Sequence, residues 1–174
     1  MTQEVTKASN SLPFFQGMEE KQVDAKNRVG IPGLFRSLLP EGDADRVIVV
    51  RGLKPNTFFL EVWPLATWAV LTERVLSIAE PEKRHTIFRG YISQGRECKV
   101  DPQGRLVIPP FYREWAKIGE TVTWVGGGEM MELWAKEVFE QGDRDTLNLA
   151  YAVYQELTLG VGLVSNPGNE TKNS

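Results

Sequence analysis

Among its 174 residues the sequence has a single cysteine, Cys98, and a single histidine, His85. One thiol cannot form a disulfide within the chain, and one thiol with one imidazole falls short of the ligand set of a structural zinc site. Both scarcities fit a reducing, cytoplasmic setting with no metal and no cofactor. No H-E-x-x-H and no G-x-S-x-G occurs, and the carboxylates follow ordinary surface patterns, so no enzyme is expected. Long apolar runs are missing as well. The longest span a few residues, such as 47 to 50, and the first twelve residues are polar, which predicts neither a secretory signal nor a membrane span. Positive charge is not in excess either: 20 lysines and arginines stand against 23 acids, a net −3. The total charge therefore announces no polyanionic partner, and any basic surface must be local.

What is present is an ordinary globular composition, 41% hydrophobic and 25% charged, enough for one domain or two small ones. It also contains a repeat. Asp24-Ala25-Lys26-Asn27-Arg28-Val29-Gly30-Ile31-Pro32 returns 77 residues later as Asp101-Pro102-Gln103-Gly104-Arg105-Leu106-Val107-Ile108-Pro109, and at the same offset Phe35-Arg36 meets Tyr112-Arg113. Leu60-Glu61-Val62-Trp63 returns as Met131-Glu132-Leu133-Trp134 at an offset of 71. Two matches in the same order, separated by a loop that differs by six residues, mark a duplication.

Asp at the first position of a turn and Asn27 or Gly104 at the fourth is tight-turn composition, because the Asp carboxylate bonds the following backbone and Asn or Gly accepts positive φ. Residues 28–32 and 105–109 are short, apolar and closed by Pro32 and Pro109, so each copy reads as strand, turn, strand, followed by a short helix (33–39, 110–117). Residues 46–50 and 121–125 are strands of high β propensity, and further strands run through 57–63 and 129–134. The glycines 126–128 precede a strand with no Gly-Lys-Ser/Thr, which predicts a hairpin turn rather than a phosphate cradle. Trp63 and Trp134, and with them Trp68, Trp115 and Trp124, read as core anchors.

Helices follow each copy. Leu65, Trp68, Leu71, Val75 and Ile78 form an apolar stripe, Pro81 breaks it, and a second piece covers 82–91. After the second copy, 135–141 and 143–159 read as two helical pieces, the latter with a stripe of Leu147, Ala150, Tyr151, Tyr154 and Leu157. The fold class is α+β and β-centred, in segments 1–13 (disordered tail), 14–64 (first module), 65–93 (helical linker), 94–138 (second module), 139–162 (C-terminal helix) and 163–174 (disordered tail). One copy of roughly forty residues buries too little surface to be stable alone. The copies are expected to interlock, and chains to associate further.

These motifs resemble the MraZ family, whose members carry two tandem AbrB-like, swapped-hairpin modules. The resemblance rests on Asp24-x-Lys26-x-Arg28-x-x-Ile31-Pro32 and Asp101-x-x-Gly104-Arg105-x-x-Ile108-Pro109, similar to the family's repeated DxxGR...P signature, on Phe15-Gln16-Gly17 upstream, on the 97–100 approach to the second copy, and on the ends at Trp63 and Trp134. It covers about residues 14 to 141. Three departures stand out: Asn27 in place of Gly, Gly30 within the first strand where it would loosen the pairing, and about a dozen residues ahead of Phe15. The resemblance implies a regulator that binds repeated double-stranded DNA boxes near the promoter of the division and cell-wall gene cluster. It also implies a ring-shaped homo-oligomer associated with the nucleoid.

Charge along the chain gives this partner a location. Residues 81–117 hold eight cations and four acids, net +4, whereas 118–174 hold three and nine, net −6. Arg28 and Arg105 resemble the family's DNA-contacting arginines, with a planar fork suited to phosphate or to a guanine edge. Lys26, Lys99 and Arg96 add phosphate contacts or are solvated surface charges. Asp24 and Asp101 orient the turns or close them by an ion pair with the arginine. The competing class is a structural or protein-interaction oligomer that keeps the duplicated module for assembly, with DNA binding reduced.

Overall fold

A computed structural model describes residues 12–161 except 41 and 43. The two terminal tails expected from the sequence therefore lie largely outside the described residues. Each copy contributes four strands and a short helix. The first has β1 (Met18–Gln22), β2 (Arg28–Gly30), α1 (Gly33–Leu38), β3 (Arg46–Arg51) and β4 (Leu60–Pro64). After α2 (Leu65–Leu76), α3 (Pro81–Gly90) and a 3-10 turn at Ile92–Gln94, the second has β5 (Arg96–Lys99), β6 (Arg105–Val107), α4 (Pro110–Trp115), β7 (Thr121–Gly126) and β8 (Met131–Ala135). The connection from short helix to strand is 39–45 in one copy and 116–120 in the other, and the next connection is 52–59 against 127–130. The six extra residues thus divide into two and four.

The copies exchange strands. The six-stranded sheet runs β1-β7-β8-β4-β3-β5, so the strand that opens each copy pairs with the third strand of the other. Met18 to Gln22 lie opposite Val125 to Thr121, and Arg46 to Val49 opposite Lys99 to Arg96. The backbone bonds just beyond are reciprocal: Val23 N–H donates to Glu120 O (2.8 Å) and Val100 N–H to Asp45 O (2.8 Å). The β4 and β8 strands meet at the centre, with Leu60 opposite Leu133. A separate two-stranded ribbon, β2 against β6, joins the copies again.

Between ribbon and sheet lies the main core. Val29, Ile31, Leu106 and Ile108 from the ribbon meet Val47, Val49, Leu60, Val62, Val122, Trp124 and Leu133 from the sheet, with Phe35 and Tyr112 from the short helices. Phe15 is fully buried here, edge-on to Phe35 at 5.7 Å. On the opposite face of the first copy, Ile48, Val50 and Trp63 are covered by Val75, Tyr91 and Ile92, with Trp68, Leu71, Ile87 and Phe88 packed around them. Both faces of β3 are therefore buried, which is why it is a continuous apolar run rather than an alternating one. Of the five tryptophans, Trp124 is fully buried and Trp63 and Trp134 nearly so, whereas Trp68 and Trp115 are half-buried.

The chain divides into two compact units, Met1–Val138 and Phe139–Ser174. One continuous helix, α5 (Lys136–Val161), replaces the two pieces expected after the second copy. Gly142 sits within it. A glycine in a helix interior costs about 1 kcal/mol relative to alanine, too little to interrupt 26 residues. Within the second unit, Leu147, Tyr151, Tyr154 and Leu157 are exposed. Among the described residues no helix is long and apolar enough to cross a membrane.

Candidate nucleic-acid interface

The repeated turns stand side by side because the ribbon strands that follow them pair antiparallel, Arg28 opposite Val107 and Gly30 opposite Arg105. Each turn is closed in the same way. Asp24 Oδ1 accepts the backbone N–H groups of Lys26 (2.9 Å) and Arg28 (3.0 Å), while Oδ2 accepts Arg28 Nε (2.7 Å). Asp101 Oδ1 accepts those of Gln103 (3.0 Å) and Arg105 (2.9 Å), and Oδ2 accepts Arg105 Nε (2.8 Å). The fourth residue takes the left-handed conformation, Asn27 at φ 58° and Gly104 at φ 77°.

The two ion pairs also reach across. Arg28 Nη1 is 3.7 Å from Asp101 Oδ2, and Arg105 Nη1 is 3.9 Å from Asp24 Oδ2. Two carboxylates and two guanidiniums thus form one quartet of zero net charge. The arginine bonds hold the Asp24 carboxyl down at about 2, with the Arg28 side chain as the largest cause. At Asp101 burial pushes the carboxyl up, but bonds from the Arg105 backbone and guanidinium outweigh it, and the net direction is down.

Two further arginines brace the turns, and each belongs to the other copy. Arg36 on α1 donates from Nη1 to Gln103 O in the second turn (2.9 Å). Arg113 on α4 donates from Nη1 to Asn27 Oδ1 in the first turn and from Nε to Ile118 O (3.3 Å). Backbone bonds repeat the reciprocity: Ile31 N–H donates to Gly104 O (2.9 Å), and Ile108 N–H to Asn27 O (3.1 Å). A Cβ at Gly104 would be strained at φ 77° and would push the Arg36 guanidinium out of its place against Gln103 O. Gly30 is different, with open space where a Cβ would project. In the sequence Arg36 and Arg113 stand out as matching positions of the repeat, with no contact implied for either. The signal was available in their common offset of 77 residues.

The other expected residues lie where the turns and strands place them. Lys26 is exposed in the first turn, and Arg96 and Lys99 are exposed on β5, the edge strand that leads into the second turn. Pro32 and Pro109 immediately precede α1 and α4. Among the described residues no carboxylate lies within 4.0 Å of the Lys26, Arg96 or Lys99 cationic groups. The charges of the quartet cancel within it, and Lys26, Arg96 and Lys99 leave local positive charge of the kind that attracts an anionic partner.

The class defined by this architecture is a tandem duplicated β module with exchanged strands and a pair of acidic-to-basic turns locked into one ribbon. The chain belongs to the MraZ family: residues 14–89 and 92–149 match the family described as "MraZ protein, putative antitoxin-like". It is similar to proteins named "Transcriptional regulator MraZ". That of Thermoanaerobacter pseudethanolicus is 35% identical over 76% of this chain and 89% of its own length. That of Syntrophobacter fumaroxidans is 30% identical over 87% of this chain and 98% of its own, and that of Desulfitobacterium hafniense 32% identical over 86% and 100%.

Proposed function

We propose that the chain is a sequence-specific, DNA-binding transcriptional regulator that meets duplex DNA with the β2–β6 ribbon. The observation that carries this reading is the paired turn: two guanidiniums, Arg28 and Arg105, on adjacent strands of one two-stranded ribbon. A ribbon of this size enters a major groove, and a guanidinium fork matches a guanine edge. Lys26, Arg96 and Lys99 supply phosphate attraction. The names of the relatives support regulation of transcription, and with it a protein that is not an enzyme.

In this reading residues 14–64 and 94–138 are the two swapped-hairpin modules, 65–93 the helical linker and 139–162 an assembly helix. The chain acts in the cytoplasm at the nucleoid, as a homo-oligomeric ring that engages repeated promoter boxes of the division and cell-wall genes. The exposed stripe on α5 supports assembly with further copies. Linking many weak modules raises affinity because later contacts become intramolecular. A structural or protein-interaction oligomer, a scaffold with reduced DNA binding, is the second reading, favoured by the ion pairing of both turn arginines within the protein.

The deciding experiment is a mobility shift with duplex from the region upstream of the chain's own coding sequence, over a salt series, with the size of the complex measured. A regulator retards the duplex at low salt and loses affinity steeply as salt rises. The combination Arg28→Ala with Arg105→Ala abolishes the shift while leaving oligomeric size intact. Retention of binding by that variant, or an affinity insensitive to salt, sinks the ribbon assignment; no retardation of the wild type favours the scaffold.

A further inference from the structure

We infer that Arg36 and Arg113 are positioning residues for DNA recognition, each holding the reading turn that belongs to the other copy. The inference rests on the DNA-binding reading above. It follows from the reciprocity of the contacts: Arg36 of the first copy bonds Gln103 O of the second turn, and Arg113 of the second copy bonds Asn27 Oδ1 of the first. Neither arginine belongs to the Asp–Arg quartet. Both rise from the short helices that follow Pro32 and Pro109, whose aromatic neighbours Phe35 and Tyr112 are buried in the main core. Each brace therefore connects a turn to the packed interior rather than to another surface loop.

The braces are chemically unequal. In the second turn the acceptor is a backbone carbonyl, and the missing side chain of Gly104 leaves the space that Arg36 occupies. In the first turn the acceptor is the carboxamide of Asn27. Asn27 is thus a substitute that adopts the required φ of 58° and also supplies the oxygen that Arg113 needs. Each turn is held from the opposite copy, so the two modules form one reader with two coupled arms.

Asn27→Gly keeps the turn, because glycine accepts φ 58° freely, and removes only the acceptor. Arg113→Ala removes the donor. Against duplex from the region upstream of the chain's own coding sequence, each substitution is expected to weaken binding on the order of tenfold, as loss of a bond to a charged group does. The double variant is expected to bind no more weakly than the worse single one, since both act through one contact. Arg113→Ala should leave the slope of log affinity against log salt unchanged, whereas a phosphate contact would lose about one unit of slope. Arg36→Ala is expected to behave likewise at the second turn. Additive losses in the double variant, a reduced slope for Arg113→Ala, or wild-type affinity in Asn27→Gly overturns the inference while DNA binding stands. A wild-type chain that leaves the duplex unshifted at low salt removes the DNA reading and this inference with it.

Discussion

Glu61 and Glu132 stand directly opposite each other on β4 and β8, two carboxylates at the seam where the copies meet. Like charges at opposed positions of adjacent strands are destabilising. Each instead accepts a bond from the indole of its own copy, Trp63 Nε1 to Glu61 Oε2 (3.1 Å) and Trp134 Nε1 to Glu132 Oε2 (2.8 Å). Glu61 accepts in addition from Tyr91 Oη and from the Leu53 N–H (3.2 Å). Burial and the neighbouring Glu61 charge hold the Tyr91 hydroxyl protonated, far above its usual range, so it remains a donor.

Stability should rise as the solution is made mildly acidic. Burial pushes the Glu132 carboxyl above its usual value of 4.5, with Glu61 adding in the same direction. A group that binds its proton more tightly when folded stabilises the fold as pH falls through its raised value, and the gain is complete near the ordinary one. Glu132→Gln keeps an acceptor for Trp134 and removes the charge. Melting temperatures of this variant should exceed wild type at neutral pH, with the difference closing near pH ~4.5. An equal difference at both pH values would refute the assignment.

At stronger acid the turns take over. Asp24 is held at about 2 against an ordinary 3.8, and Asp101 is also lowered. Carboxylates depressed in this way contribute stability that is present above 3.8 and lost as pH falls toward about 2. In Arg28→Ala the side-chain carboxyl resonance of Asp24 should titrate back toward 3.8, measured by carbon-detected NMR. A midpoint that stays near 2 would assign the shift to the backbone bonds instead.

Much of this arrangement can be read from residues alone, and the rest has identifiable reasons for being hidden. The nonapeptide repeat exposes both turns, because Asp with Asn or Gly three positions later is local chemistry. Which copy each opening strand pairs with is not readable: β1 is Met-Glu-Glu-Lys-Gln, a polar edge strand, and its ladder consists of backbone bonds with no residue signature. The break expected in the last helix fails because Gly142 is a weak perturbation in a long helix. Arg36 and Arg113 lie close to the turns only through the exchange, so their common offset marks them as equivalent positions without saying what they touch.

The two glycines of the repeat should respond oppositely to alanine. Gly104→Ala places a methyl against Arg36 at φ 77° and should cost more than ~1–2 kcal/mol, the usual penalty of the left-handed region. Gly30→Ala meets open space and no positive φ, so chemical denaturation should show a gain of about 0.4–1 kcal/mol from a stiffer unfolded chain. A neutral or harmful alanine at position 30 would refute this gain and, with it, the loosening expected of Gly30.

Truncation at the seam should be expensive. Leu133 is fully buried and opposes Leu60 between the copies, and Leu133→Ala should cost about 2–5 kcal/mol by removing methyl groups that the interior cannot refill. Urea unfolding measures this loss. A value below ~1 kcal/mol would mean that the seam relaxes into the space.

Cys98 should resist alkylation. It is buried, and desolvation pushes its thiol up to about 11, so little nucleophilic thiolate exists at neutral pH. Iodoacetamide should modify it at the rate of global unfolding, accelerating in urea. Rapid labelling of the native chain would contradict this.

Strand exchange within one chain also changes what mutation can reach. Two identical modules brought together as separate molecules must alter both arms whenever either alters. Here the arms are encoded separately, and they have drifted: Asn27 faces Arg113 where Gly104 faces Arg36, and Arg51 ends β3 where Gly126 ends β7. A covalent pair can therefore carry two unlike turns on a nearly symmetric frame.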